Sequence, residues 1–234
     1  MDTTHIRTRA INASTSTRLR TRAVATVAVL LITMTAWAQL PGRCEAPVSE
    51  RTGAIGCYVV ANQPLGSLPD VPLFWHVYAF PNRAAADAVM APRSSIVEAF
   101  DKIWLFTIAP RDWHAAGGEP VAVVGPLAHA MDRKYTARYL EAVVPPGERT
   151  PIHTHAGPEA WYLVAGAQCL ETPDGTTVAH AGESAVVREG LPMILSSVGT
   201  ETRRTFALVL HDSAKPWTMV MHGDEWRPAG RCPK

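Results

Sequence analysis

Two histidines and a glutamate lie close together in the stretch 145–166, PPGERTPIHTHAGPEAWYLVAG. One residue separates His153 from His155, and Glu159 follows four positions later. Alternate side chains of an extended strand point to the same side, so both imidazoles can face one point. The turn-forming Gly157-Pro158 pair lets the carboxylate swing back towards them. Two nitrogens and one carboxylate are a ligand set for a first-row divalent metal, and the spacing therefore predicts a metal site.

The elements that must position these ligands are β-strands. From residue 131 to residue 213 the chain alternates short stretches rich in apolar and β-branched residues with turns containing Gly, Pro, Asn or Asp. Asp174-Gly175 is a hairpin signal between two of these strands. Many short strands with such turns predict a mainly β structure, either a sandwich or a barrel.

Five positions of this segment carry a resemblance to a known family. Gly147, His153, His155, Glu159 and Gly166 have the spacing G-x5-H-x-H-x3-E-x6-G, which resembles the first motif of the cupin superfamily. The resemblance implies a jelly-roll β-barrel over residues 131–213. It also implies one divalent transition metal near the open end of the barrel, which can be Fe, Mn, Ni, Zn or Cu. Both histidines and the glutamate are its ligands under this hypothesis.

The second motif of that family is degenerate in this chain. Cupins usually supply a fourth ligand there, a histidine, and the aligned position holds Met193. The thioether is either a soft ligand that favours copper or an apolar filler beside the site, and filler is the better interpretation. His211, at the end of the last predicted strand, and His180 are alternative replacements. A barrel in which the triad binds no metal also remains open.

Residues 39–130 precede the barrel as a smaller α+β region of unknown role. Strands are predicted at 54–61, 72–80, 94–100 and 102–109, and a helix at 83–91 with Asn82 as its N-cap. This half either extends the sheet of the barrel or forms a separate unit, and we favour the separate unit. Residues 214–234 are predicted to be a tail that wraps the surface.

The N-terminus and the cysteines concern localisation. Residues 1–38 combine an Arg-rich start, 16 uncharged residues and an A-x-A end, the pattern of a secretory signal peptide. We therefore expect a secreted or periplasmic protein that is free of the membrane after cleavage. The remaining chain has 17 basic and 20 acidic residues, a net charge of −3, which gives no indication of nucleic acid binding. Cys44 and Cys232 could join the termini, with Cys57 and Cys169 as buried thiols, but sequence leaves the pairing open.

Three functions are compatible with these features. The first is a metal-dependent enzyme, for which the resemblance implies an oxygenase-type reaction on a small phenolic or diketone-like molecule. The second is a non-catalytic cupin that binds a small molecule or a metal, which the degenerate second motif favours. The third and weakest is a metal-free sugar epimerase of the same family. A small-molecule ligand is the expected partner, and whether the protein forms a homodimer is left open.

Overall fold

The computed structural model describes residues 1, 40, 43–221 and 226–233. The described chain is mostly β-strand, with one 3-10 turn at Val48–Glu50 and one short α-helix. The elements in chain order are β1 (Gly56–Gly66), β2 (Leu73–Phe80), α1 (Arg83–Asp87), β3 (Ser94–Ala99), β4 (Lys102–Ala109), β5 (Glu119–Leu127), β6 (Tyr135–Val144), β7 (His153–His155), β8 (Glu159–Ala165), β9 (Ala167–Thr172), β10 (Gly175–His180), β11 (Ser184–Val187), β12 (Ile194–Val198), β13 (Arg203–Asp212) and β14 (Thr218–Val220).

These strands form four sheets. The largest has five strands in the order β1-β6-β13-β8-β11, and a four-stranded sheet has the order β3-β4-β2-β5. A three-stranded sheet, β10-β9-β12, and the pair β14-β7 complete the fold. The paired strands are antiparallel throughout, and the predicted hairpin at Asp174-Gly175 is confirmed because it joins β9 to β10.

One face of the five-stranded sheet packs against the four-stranded sheet. Both sheets contribute to a single apolar core, which includes Trp75 and Phe106 from the four-stranded sheet and Tyr139 and Phe206 from the five-stranded sheet. The ring of Phe206 lies 5.0 Å from those of Trp104 and Phe106, with the ring planes nearly perpendicular. These edge-to-face contacts make Phe206 a central contact between the two sheets.

The opposite face of the five-stranded sheet faces the three-stranded sheet. Trp161 and Leu163 on β8 and Ala207 on β13 pack here with Ala179 on β10. We call the space between these two sheets the jelly-roll interior. The arrangement confirms the jelly-roll fold, although the sheets are not closed into a continuous barrel, because β7 pairs with β14 in a sheet of its own.

The first half of the chain combines both alternatives considered from the sequence. Strand β1 pairs with β6 and so extends the five-stranded sheet, whereas β2 to β5 form a sheet of their own. The Asn82 side chain accepts a hydrogen bond from the Ala85 amide, which confirms it as the N-cap. The helix is shorter than predicted and ends at Asp87, so the α+β region is almost entirely β. The described residues from 40 onward form one compact unit.

The cysteines pair differently from the arrangement considered in the sequence analysis. Cys44 is bonded to Cys57 and Cys169 to Cys232, so neither the Cys44–Cys232 bridge nor the two buried thiols are present. The second disulfide fastens the tail to β9, which explains how a segment with little regular structure stays on the surface. Each bridge removes loop-closure entropy from the unfolded chain, and the longer loop gains more.

The predicted signal peptide, residues 1–38, lies almost entirely outside the described residues. Within the part of the chain that the structure describes, no helix has the length and apolar character needed to cross a membrane.

Phe206→Ala is predicted to lower the free energy of unfolding by about 3–5 kcal/mol, because it empties the contact between two sheets that share one core. Urea denaturation followed by tryptophan fluorescence and by far-ultraviolet circular dichroism measures the change. The two probes should give one coincident transition. Val123→Ala, at a side chain that is 46% exposed, is the control. Separate transitions, or a loss no larger than that of the control, would contradict the shared core.

Candidate metal centre

The two histidines are held by the three-residue strand β7, which is paired on both sides. On one side His155 is the register partner of Thr218 and His153 that of Val220, both on β14. On the other side, His153 exchanges two backbone hydrogen bonds with Met193, at 3.0 and 3.1 Å. This double pairing fixes the pleat, so that His153 and His155 both point to the buried side while Thr154 points away.

Glu159 reaches the same point because the loop before β8 lies directly against β13. The amide of Leu210 donates to Pro158 O, and that of Asp212 donates to Ala156 O. A Cβ atom on Gly157 would lie 1.9 Å from Leu210 O, so only glycine permits this approach. Glu159 then begins β8 opposite Val209 and faces the jelly-roll interior.

The three side chains form a compact group. One ligand atom from each of His153, His155 and Glu159 lies within 4.8 Å of the other two, and all three residues are buried. His155 Nε2 and Glu159 Oε2 are 3.8 Å apart. Two ligands of one zinc ion lie about 3–3.5 Å apart, as follows from zinc–ligand bonds of about 2.0–2.2 Å. Small side-chain movements would therefore close this group around an ion.

Backbone carbonyls determine the tautomer of both imidazoles. His153 Nδ1 lies 2.9 Å from Pro151 O, and His155 Nδ1 lies 2.9 Å from Trp217 O. A carbonyl oxygen can only accept a hydrogen bond, so each Nδ1 carries the proton and donates it. Each Nε2 consequently presents a lone pair, which is the form of histidine that binds a metal, with the second nitrogen held by an outer partner.

Burial also sets the charge of the group. It lowers the pKa of His153 and lowers that of His155 to about 4, so both rings are neutral at pH 7. The same burial raises the pKa of the Glu159 carboxyl, although the charge of Arg203 acts against this shift. The site thus offers two neutral nitrogens and one carboxyl group whose charged form is favoured when a cation lies beside it.

The donor set fits a divalent metal. His155 Nε2 and Glu159 Oε2 are buried and have no hydrogen-bond partner. Buried polar atoms are nearly always paired, and two acceptors that face each other require something positive between them. A transition metal satisfies both atoms at once and needs no rearrangement of the backbone.

The C-terminal tail covers this site. The ring of Trp217 stacks on that of His155, with centroids 5.4 Å apart and planes 20° from parallel. The Arg138 guanidinium lies 4.5 Å from the centroid of the Trp217 ring. Glu45 holds both residues, accepting from Trp217 Nε1 at 2.9 Å and from Arg138 Nη2 at 2.9 Å. Segments from both ends of the chain therefore meet over one metal-ligand candidate.

The other ligand candidates lie outside this group. The Met193 side chain packs among Leu170, Val187, Leu191 and Leu195, which supports the interpretation of filler. His211 is buried nearby and its Nδ1 also contacts a backbone carbonyl, Asp212 O, at 3.0 Å, but the residue is absent from the three-membered group. His180 is exposed, and its backbone amide donates to Glu183.

Sequence reasoning missed Trp217, Glu45 and Arg203. Trp217 and Glu45 lie in irregular segments, where no periodicity indicates which way a side chain points. For Arg203 a signal was present in "RRTFALVLHD", because alternation places it on the same strand face as Thr205 and His211.

Comparisons with known proteins give one family match and several similar solved structures. Residues 140–209 match the family described as "Cupin domain". Similar solved structures include a cupin-like protein from Thermotoga maritima, with 13% identity over 36% of this chain and 64% of that chain and a TM-score of 0.34. A Cupin 2 conserved barrel domain protein from Salinispora arenicola has 23% identity over 33% of this chain and 65% of its own, with a TM-score of 0.31. DMSP lyase DddQ from Ruegeria pomeroyi has 14% identity over 36% of this chain and 42% of its own, with a TM-score of 0.33.

This chain thus spans less than two thirds of the length of each of these proteins. No curated protein matches it in sequence.

Trp217→Ala is predicted to speed zinc release from the loaded protein by on the order of tenfold, an effect of the size seen when a group that contacts a metal ligand is lost. The substitution removes the ring that covers His155 but keeps the carbonyl that holds Nδ1. Transfer of zinc to a colorimetric chelator, followed by absorbance, gives the rate. Met219→Ala, at an exposed side chain two residues further along, is the control. Equal release rates for the two variants would show that the ring does not shield the site.

Proposed function

Because residues 140–209 of this chain form a cupin domain, we propose that the protein is an exported metalloprotein acting on a small molecule. It binds one divalent transition metal through His153, His155 and Glu159. The observation that carries the proposal is the pair of unpartnered buried atoms, His155 Nε2 and Glu159 Oε2, 3.8 Å apart. With the tautomers fixed by backbone carbonyls, these ligands are prepared before the metal arrives.

An oxygenase-type reaction suits this ligand set best. Two histidines and one carboxylate leave coordination positions open, and a metal held this way supplies Lewis acidity and dioxygen chemistry to a bound oxygen ligand. The residues of the chain orient the ligands, and the cover formed by Trp217 limits access of water. Small phenolic or diketone-like molecules present the two neighbouring oxygens that open positions on one metal can take.

A non-catalytic role is the second candidate, and Met193 favours it. The position that usually supplies a fourth ligand is occupied by a side chain packed in an apolar cluster. Such a site would hold a metal or a small molecule for storage or sensing without turning it over.

Export is supported by the disulfides and by the sequence of the N-terminus. All four cysteines are paired in the structure. Structural disulfides are typical of oxidising compartments outside the cytosol. Together with the signal-like residues 1–38, they favour a secreted or periplasmic protein.

Replacing His153, His155 or Glu159 by Ala is predicted to weaken zinc binding by more than about 100-fold. Losing a group that only hydrogen-bonds a metal ligand already costs about 10–100-fold in affinity, and losing a ligand should cost more. Elemental analysis after dialysis against a fixed zinc concentration measures the occupancy. His180→Ala is the matched control, since this histidine is exposed. Wild-type protein without metal after loading with Fe, Mn, Ni, Cu and Zn in turn would contradict the proposal.

The enzyme and the binding protein are distinguished by oxygen uptake. Iron-loaded wild type should consume oxygen with catechol or acetylacetone, and Glu159→Gln should lose that activity along with its iron. An oxygen electrode measures both rates, with free Fe(II) at the same concentration as the blank. Tight metal binding without uptake above the blank would support the non-catalytic role.

A further inference from the structure

A second polar group lies in the jelly-roll interior, at the opposite end of β13 from Val209, the register partner of Glu159. Arg203 begins this strand and is only 4% exposed. Its Nη1 donates a hydrogen bond to Gln168 Oε1 on β9, across the interior. Gly166 makes room for the start of the strand, since a Cβ there would lie 2.9 Å from Arg203 Cα. The backbone at the start of β13 therefore lies in close contact with the turn between β8 and β9.

This group has more donors than acceptors. Arg203 Nε, Gln168 Nε2 and Thr205 Oγ1 are buried, and none of them has a hydrogen-bond partner. Thr205 follows Arg203 by two residues on β13 and so shares its strand face. Gln168 is fully buried and Thr205 is 3% exposed. Since buried donors are nearly always paired, these three unpaired ones, on Arg203, on its partner Gln168 and on the next residue of the same strand face, indicate that an acceptor belongs with them.

The charge of the interior indicates that this acceptor is negative. Burial lowers the pKa of Arg203 to about 10, which still leaves it charged at pH 7. Among the described residues, no acidic side chain makes an ion pair with it, and the carboxylate whose charge acts on it is Glu159. If Glu159 binds a divalent metal, its single negative charge is opposed by three positive charges, two on the metal and one on Arg203. An anion restores the balance, as a buried charge without a counter-charge is strongly unfavourable.

The other arginine near the site is already neutralised. Arg138 Nη2 lies 2.9 Å from a carboxylate oxygen of Glu45. The uncompensated charge is consequently that of Arg203, and its free Nε edge suits a carboxylate, which guanidinium groups bind through two parallel hydrogen bonds.

We propose that Arg203, Gln168 and Thr205 form a binding site for the carboxylate of a small organic acid whose other end extends towards Glu159. The inference rests on the proposed metal site and predicts that its preferred substrate carries a carboxylate in addition to the oxygens that reach the metal. Arg203 binds the carboxylate, Gln168 orients the guanidinium through its Oε1 and adds a donor through Nε2, and Thr205 supplies a hydroxyl. A molecule without an anionic group would leave the charge of Arg203 unpaired.

Malonate is the probe, and isothermal titration of zinc-loaded protein gives its affinity. Arg203→Gln should weaken malonate binding at least tenfold while one zinc per chain is retained. Arg204→Gln removes the same charge from the neighbouring exposed residue and should leave the affinity unchanged. Thr205→Val should weaken it severalfold. Near-ultraviolet circular dichroism verifies the fold of each variant.

These measurements test the carboxylate site and the metal site separately. Equal malonate affinity in Arg203→Gln and Arg204→Gln, with zinc retained, overturns the carboxylate site and leaves the metal site intact. Wild type that binds no zinc, but binds malonate in a manner that depends on Arg203, overturns the metal site alone. If Arg203→Gln does not fold, two other variants replace it: Thr205→Val, and Arg203→Lys, which keeps the charge but loses the Nε edge. Unchanged malonate affinity in both of these variants also overturns the proposal.

Discussion

The structure depends on one constraint, which is that both faces of the five-stranded sheet are buried. Its outer face packs on the four-stranded sheet through residues such as Tyr139 and Phe206, and its inner face lines the jelly-roll interior. Because side chains alternate along a strand, each of β6, β8 and β13 contributes to both layers. On β8, Glu159 faces inward and its neighbour Ala160 outward, so the polar centre and the apolar core are separated by the thickness of one sheet.

This constraint explains why the polar groups gather inside. The core on the outer face is built largely from apolar and aromatic side chains, and the acid buried beside Phe206, Glu141, is paired with Arg51. The metal-ligand candidates lie on the inner side, where burial lowers the pKa of His155 and raises that of Glu159. The tail also contributes to the site, since the Trp217 carbonyl fixes the tautomer of His155 and the Trp217 ring covers the His155 imidazole.

How far the sequence could be read depended on periodicity. Strands and the metal-ligand triad follow from alternation and from the spacing of His153, His155 and Glu159, and both could be predicted. The N-cap at Asn82 was also readable, because capping is local chemistry. Disulfide pairing was not, since Cys44 and Cys57 approach only through the packing of an irregular segment on β1. The cover over His155 was missed for the same reason, because Glu45 and Trp217 are 172 positions apart in the chain and meet only in the folded protein.

The pairing of β7 with β14 has a consequence for biosynthesis. The orientation of His155 depends on the carbonyl of Trp217, 62 positions later in the chain. The segment after Trp217 is attached to β9 by the disulfide between Cys169 and Cys232. The histidine pair therefore reaches its final geometry only after β14 has paired with β7. A metal bound at this site would accordingly enter after that pairing rather than before it. The choice of ion would then depend on which metals are available where folding finishes, since similar sets of nitrogen and oxygen ligands accept several divalent metals.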